Sequence, residues 1–200
     1  MIKKILAEAL GTFALVFVVM SAVTGASIIT PLLAGLTLGL MVYMVGHISG
    51  THINPAVTIG AWTIGKISLK DAALYIVAQF VGAAVAMFAV HAFIPQAIDI
   101  IPIAINIENT SVVFLAEALG MFFFTFGIAS VVYGKTPGNL SGIVVGLSLI
   151  LGITFASVGS AGILNPAVAM SLGGFNIMYI LGPIVGSIAG MQAYKAMMVK

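Results

Sequence analysis

Asn54 and Asn165 are the side chains of this sequence best placed to act on another molecule. Each opens the tetrapeptide Asn-Pro-Ala-Val, at 54–57 and 165–168, and each follows a stretch rich in Gly and Ser. Asn is a good N-cap, and Pro is tolerated at the first helical position because an N–H there would have no partner, so each pair starts a helix. A carboxamide brings two N–H donors and one carbonyl acceptor without net charge. At a helix N-terminus, where aligned peptide dipoles leave about +0.5 of an elementary charge, it can hydrogen-bond neutral molecules while cations are repelled. That chemistry is recognition and exclusion. Bond-making chemistry has no support: there is no cysteine, no G-x-S-x-G elbow, no P-loop, no H-E-x-x-H and no close carboxylate pair with a base. Nothing calls for an enzyme, a metal or a cofactor.

The elements that must hold these asparagines come in two copies. Ala7-Glu8-Ala9-Leu10-Gly11 returns as Ala116-Glu117-Ala118-Leu119-Gly120, and the spacing from Glu8 to Glu117 is almost that from Asn54 to Asn165. The halves run approximately over 1–95 and 110–200 of a single domain. A hydrophobic segment interrupted at the same place in both copies points to a membrane pore or transporter.

Composition agrees. Hydrophobic residues make up 62% and charged residues 6%, against roughly 25% charged in soluble domains. Crossing the hydrocarbon core takes about 20 apolar residues, and six segments qualify, approximately 5–23, 31–48, 70–93, 112–133, 139–158 and 176–196. The first is read as a retained span, since its Glu8 has an equivalent in mid-chain. All seven lysines (3, 4, 66, 70, 135, 195 and 200) sit at segment ends, and there is no arginine. With six crossings they share one side; the other side receives only Asp99 and Glu108, in the long loop 94–111. The positive-inside rule puts both termini in the cytoplasm. Three spans per half make the repeat inverted.

The pieces that begin at Asn54 and Asn165 end near Gly65 and Gly173, each about half a span, since ten helical residues rise roughly 15 Å. The stretches before them, 46–53 and 158–164, read as irregular. Irregular backbone at membrane depth survives where it lines a cavity, so two half-helices should meet tip to tip beside a pore. Gly35/Gly39, Gly142/Gly146 and Gly182/Gly186/Gly190 read as close-packing ladders.

Glu8 and Glu117 are ionisable groups inside spans. Two readings stand: a proton relay, or braces that accept N–H bonds from the irregular stretches. Gln79 is expected to bond loop backbone, His52 to orient its loop, and Asp71 to start a cytoplasmic helix; His47 and His91 lie apart.

These features resemble the major intrinsic protein family of aquaporins and glycerol facilitators. The likeness runs from Ala7-Glu8 through Gly46-His47-Ile48-Ser49-Gly50-Thr51-His52-Ile53-Asn54-Pro55-Ala56 and Ala78-Gln79-Phe80-Val81-Gly82-Ala83 to Tyr179-Ile180-Leu181-Gly182-Pro183. It implies an all-α, right-handed bundle of six transmembrane helices plus two re-entrant half-helices, with one pore per subunit and usually a homotetramer. It makes Asn54-Pro55-Ala56 and Asn165-Pro166-Ala167 the pore motifs. Carbonyls of Gly50, Thr51, His52 and Ile53, and of Ala161, Gly162, Ile163 and Leu164, would face the pore. Relatives normally follow the second motif with arginine; this chain has Val168. By the family's spacing the other constriction positions are Ala34, Ile153 and Gly162, so all four are apolar.

A wide apolar ring favours weakly hydrated neutral molecules over ions. The expected function is a passive channel in the cell membrane for water and small uncharged solutes: glycerol-like polyols, urea, ammonia or undissociated metalloid acids. A strict water channel, a proton-coupled secondary transporter and a non-conducting scaffold are the competing readings.

Overall fold

A computed structural model describes residues 1–104, 110–173 and 176–198; Glu108 and Lys200 lie outside the described residues. The helices are α1 (Ile2–Thr24), α2 (Thr30–Ser49), α3 (Pro55–Thr63), α4 (Leu69–Phe93), α5 (Ala97–Ala104), α6 (Thr110–Val132), α7 (Ser141–Ala156), α8 (Pro166–Ser171) and α9 (Met178–Met198), with a 3₁₀ turn at Gly138–Leu140 before α7. The described residues contain no strand. Lipid offers the backbone no hydrogen-bond partners, so a helix, which satisfies its own groups, is the element such a composition selects.

The packing repeats between halves. α1 lies on α4 and α2, α6 lies on α9 and α7, and α2 on α7 joins the halves. Each half-helix also reaches across, α3 onto α9 and α8 onto α4. Small residues allow the close crossings. A Cβ added at Gly39 would come within 2.7 Å of the Gly142 carbonyl, and one at Gly82 or Gly186 would collide with the carbonyl of Ala9 or Ala118. In lipid, where apolar side chains gain little by association, such backbone approach is what holds helices together. The outward faces are apolar: Leu36, Leu40, Val77, Phe88, Leu147 and Leu151 are exposed, while Glu8, Gln79 and Glu117 are fully buried. This inversion of a soluble protein's pattern fits a lipid surround.

Three expectations change. Residues 46–49 are helical, because α2 continues to a left-handed cap at Gly50 (φ 88°) whose N–H bonds the Gly46 carbonyl. A Cβ at Gly46 would meet no described atom nearer than 3.5 Å, Ser49 donates to Glu8, and Gly50 is the stop. The 94–111 loop holds α5, which packs on α1 and buries Ala97. Five of the six spans are long and apolar enough to cross a membrane. α9 has 21 residues but is diluted by glycines, Gln192 and Lys195, so its place comes from packing on α6 rather than from composition.

Ser68 caps α4 by accepting the Asp71 N–H at 3.1 Å. Lys66 lies over the Tyr133 ring, 4.6 Å from its centre, which puts the α3–α4 and α6–α7 connections on one face, as the lysine pattern requires.

Replacing Gly186 with Val should cost about 1–3 kcal/mol or more through overpacking against α6, whereas Gly138→Ala, with none of the described atoms within 4 Å of the added carbon, should be neutral. Thermal unfolding of the two variants in detergent checks the contrast.

Candidate functional site

Two segments of irregular backbone, residues 50–53 and 161–164, lead into α3 and α8. Thr51 and Ile53 take left-handed φ values of 51° and 39°, and Gly162 and Leu164 take 65° and 55°. For non-glycine residues such backbone costs on the order of 1–3 kcal/mol each and persists only where surroundings over-determine it. Here the surroundings are two carboxylates. Glu8 Oε1 accepts the His52 N–H at 2.9 Å and the Ser49 hydroxyl at 2.7 Å, and Oε2 accepts the Ile53 N–H at 2.7 Å. Glu117 Oε1 accepts the Ile163 N–H at 2.9 Å and the Ser160 hydroxyl at 2.7 Å, and Oε2 accepts the Leu164 N–H at 2.6 Å. The serines in turn accept the N–H groups of Thr51 and Gly162, each at 3.0 Å. Tyr179 accepts the Ala161 N–H at 3.2 Å, while Tyr75 donates to the Ser49 carbonyl at 2.8 Å.

With the donors drawn inward, the carbonyls of Gly50, Thr51, His52, Ala161, Gly162 and Ile163 accept no hydrogen bond among the described residues. Ile53 and Leu164 differ. Asn54 Nδ2 donates to the Leu164 carbonyl at 2.9 Å, and Asn165 Nδ2 donates to the Ile53 carbonyl at 3.1 Å. The two helix tips therefore meet and are cross-tied. Each Asn Oδ1 caps its own helix, accepting Ala56 N–H at 2.9 Å or Ala167 N–H at 3.0 Å, with Pro55 and Pro166 in the first turn. One N–H of each amide remains for another molecule.

A cavity of about 350 Å³ lies against these tips. Both asparagines line it, together with His52, Ile53, Ala161 and Ile163, and all four expected constriction positions, Ala34, Ile153, Gly162 and Val168, are on its wall. Gly50, Thr51 and Leu164 are not; Pro55, Ala56, Pro166 and Ala167 are buried behind the tips. Among the described residues, no Asp, Glu, Lys or Arg lines the cavity. A Cβ at Gly162 would come within 3.0 Å of both Ile153 and Ser157, so that position has no room for a side chain.

Gln79 corrects an expectation. Its Nε2 donates to side chains rather than to loop backbone, to Glu8 Oε2 at 2.8 Å and Thr58 Oγ1 at 2.9 Å. Ser49, Ser160, Tyr75, Tyr179 and Thr58 escaped the sequence reading. Ser49 and Ser160 are spaced along the chain just as the two asparagines are, and that shared spacing would have found them. Tyr75 and Tyr179 are closer together in sequence than the asparagines, because the repeats differ in length after the motifs.

The sequence matches the major intrinsic protein family over residues 1–194. It is 34% identical to Aquaporin NIP1-3 of Oryza sativa subsp. japonica over 211 residues, covering 96% of this chain and 73% of that one. It is 31% identical to Probable aquaporin AqpM of Archaeoglobus fulgidus, covering 96% of each. The fold is similar to that of the aquaglyceroporin from Plasmodium falciparum, with a TM-score of 0.74 at 24% identity, covering 98% of this chain and 96% of that one.

Removing one carboxylate tests the arrangement. Glu117→Ala leaves the buried N–H groups of Ile163 and Leu164 unpaired, each costing on the order of 1–3 kcal/mol, so yield and thermal stability should fall together. A stable Glu117→Ala protein that loses only a pH-dependent flux would instead favour the proton relay.

Proposed function

The chain belongs to the major intrinsic protein family, whose members are membrane channels and not enzymes, and we propose that it is a passive channel for water and a broad set of small uncharged solutes. The observation that carries this reading is the cavity wall, where Ala34, Ile153, Gly162 and Val168 are all apolar and no described residue brings a charged side chain. An apolar ring cannot replace an ion's hydration, so ions pay the full desolvation penalty, whereas polyols, urea, ammonia or undissociated metalloid acids are weakly hydrated enough to pass. The helix tips add a positive potential that opposes cations. Relatives described as aquaporins support water as one permeant.

Several further assignments belong to the same proposal. One channel domain comprises both repeats, with Asn54-Pro55-Ala56 and Asn165-Pro166-Ala167 at its midpoint. The carbonyls of the two irregular segments hydrogen-bond the permeant, and Glu8, Glu117 and Gln79 hold those segments in place. The chain sits in the cell membrane with both termini cytoplasmic, which the placing of the lysines at segment ends supports, and it assembles as a homotetramer through its apolar outer faces. A proton-coupled transporter would need titratable groups beside its substrate; among the described residues His52 is the only one on the cavity wall. Uphill solute uptake driven by a proton gradient in vesicles would establish that alternative.

Val168→Arg is the direct test. Arginine would narrow the passage and add a fixed cation, while its donors still serve single-file water. Solute permeability should fall much more than water permeability in proteoliposomes, and an unchanged solute-to-water ratio in an assembled variant would place the filter elsewhere. Asn165→Asp adds an anion where the helix tips meet, so cation leak should rise. Equal leak currents in bilayers of the parent and an assembled Asp variant would remove the tips from ion exclusion.

A further inference from the structure

The first repeat carries a polar chain that the second lacks. On the register that aligns Asn54 with Asn165, His52 and Thr58 correspond to Ile163 and Ala169. Gly82 and Gly186 contact the equivalent carbonyls of Ala9 and Ala118, and on that register Gln79 corresponds to Pro183. All three polar side chains are therefore apolar in the second half, although the carboxylate is kept.

The hydrogen bonds of this chain can be given directions one after another. Glu8 receives the Ser49 hydroxyl and the N–H groups of His52 and Ile53, every one a donor. The end of Gln79 that meets Glu8 is thus its NH₂, since the reversed amide would set an oxygen against a carboxylate. This orientation leaves Gln79 Oε1 buried with no partner among the described residues, and it makes Thr58 Oγ1 accept from Nε2 at 2.9 Å. Thr58 has one proton and two remaining neighbours. The Asn54 carbonyl lies at 3.0 Å and His52 Nδ1 at 3.2 Å. The closer oxygen takes the proton, so Thr58 faces the ring as an acceptor and Nδ1 must supply the hydrogen. The neutral ring then has its lone pair at Nε2, which has no partner among the described residues, and His52 lines the cavity. Tyr75 packs edge-on against the ring, 5.3 Å between centres.

We propose that Thr58, held by Gln79, is a positioning residue that fixes His52 with its proton on Nδ1, so that Nε2 presents a hydrogen-bond acceptor to molecules in the channel. This rests on the channel reading and refines its solute class toward neutral molecules rich in donors. Other groups on the wall agree. Thr30 and Ser157 spend their protons on the carbonyls of Ser27 at 2.6 Å and Ile153 at 2.7 Å, leaving oxygen lone pairs. Undissociated boric acid is a suitable probe: it has three O–H donors, and its oxygens accept poorly because their lone pairs delocalise onto boron.

The experiment uses the full chain in lipid bilayers, labelled with ¹⁵N-histidine and carrying His47→Gln and His91→Gln so that His52 is the only histidine. Nitrogen NMR should find Nδ1 protonated and Nε2 bare. Thr58→Val should move proton density onto Nε2, and Thr58→Ser, which keeps the hydroxyl, should retain the parent spectrum. A parent ring protonated on Nε2 overturns the proposal, and so does a Val variant whose ring is unchanged. Because the parent spectrum is decisive by itself, a Val variant that fails to assemble does not shield the idea. In vesicles the boric acid-to-water permeability ratio should drop roughly five-fold in Thr58→Val, the equivalent of one neutral hydrogen bond. A shifted proton with an unchanged ratio rules out the acceptor role. Parent vesicles that pass no boric acid above empty ones would sink the broad-solute reading, while the ring's proton is still decided by NMR.

Discussion

The fold turns on the need to satisfy seven backbone N–H groups inside a membrane without a helix. Residues 51–53 and 161–164 cannot pair with one another as strands do, and lipid supplies no acceptors. Glu8 and Glu117, with Ser49, Ser160 and Tyr179, take all of these donors. Once the donors point inward, the carbonyls are left on the opposite side, so a requirement of stability also builds a row of acceptors. The left-handed residues that produce this alternation are unfavourable in isolation, and the carboxylates hold them there. A buried charge is retained only when fully hydrogen-bonded, and each carboxylate here has at least three donors.

The second constraint is closeness. Gly11 on α1 and Gly120 on α6, each three residues after its carboxylate, face Ile53 and Leu164 so closely that an added Cβ would crowd those side chains. The glycine positions and the carboxylates thus form one system, in which close contact sets the distance and the carboxylate uses it. The apolar exterior follows from the same arrangement, since polar side chains are consumed inside and lipid-facing positions need only be large and greasy.

Much of this was legible in the residues. The duplicated Asn-Pro-Ala and Ala-Glu-Ala-Leu-Gly strings established the two-copy architecture, and Asn followed by Pro located both helix starts to the residue. Family spacing picked out Ala34, Ile153, Gly162 and Val168, which line one cavity. Other features were illegible for physical reasons. Residues 46–49 looked irregular because glycine and serine disfavour helices in water, yet α2 runs through them to its cap at Gly50. α5 was missed because so short a helix gives too little of a period to stand out from a loop. The partners of Gln79 depend on where three helices converge, which no local pattern encodes. The serines keep the spacing of the asparagines but the tyrosines do not, and that inequality hid a symmetry that only contact geometry restores.

The cross-tie between the asparagines has a consequence for how the protein is made. Asn54 donates to the carbonyl of Leu164, and Ile53 waits for the amide of Asn165, so each half of the tie lies in a different repeat. At about 5–20 residues per second, a ribosome needs roughly 5–20 s to supply those partners. Throughout that interval the first segment has Glu8, Ser49 and, once α4 is made, Tyr75 and Gln79 to hold it, while the Ile53 carbonyl and the Asn54 amide at its tip lack their partners. The cross-tie is therefore among the last contacts that the growing chain can make, and neither half of the duplication can form it by itself.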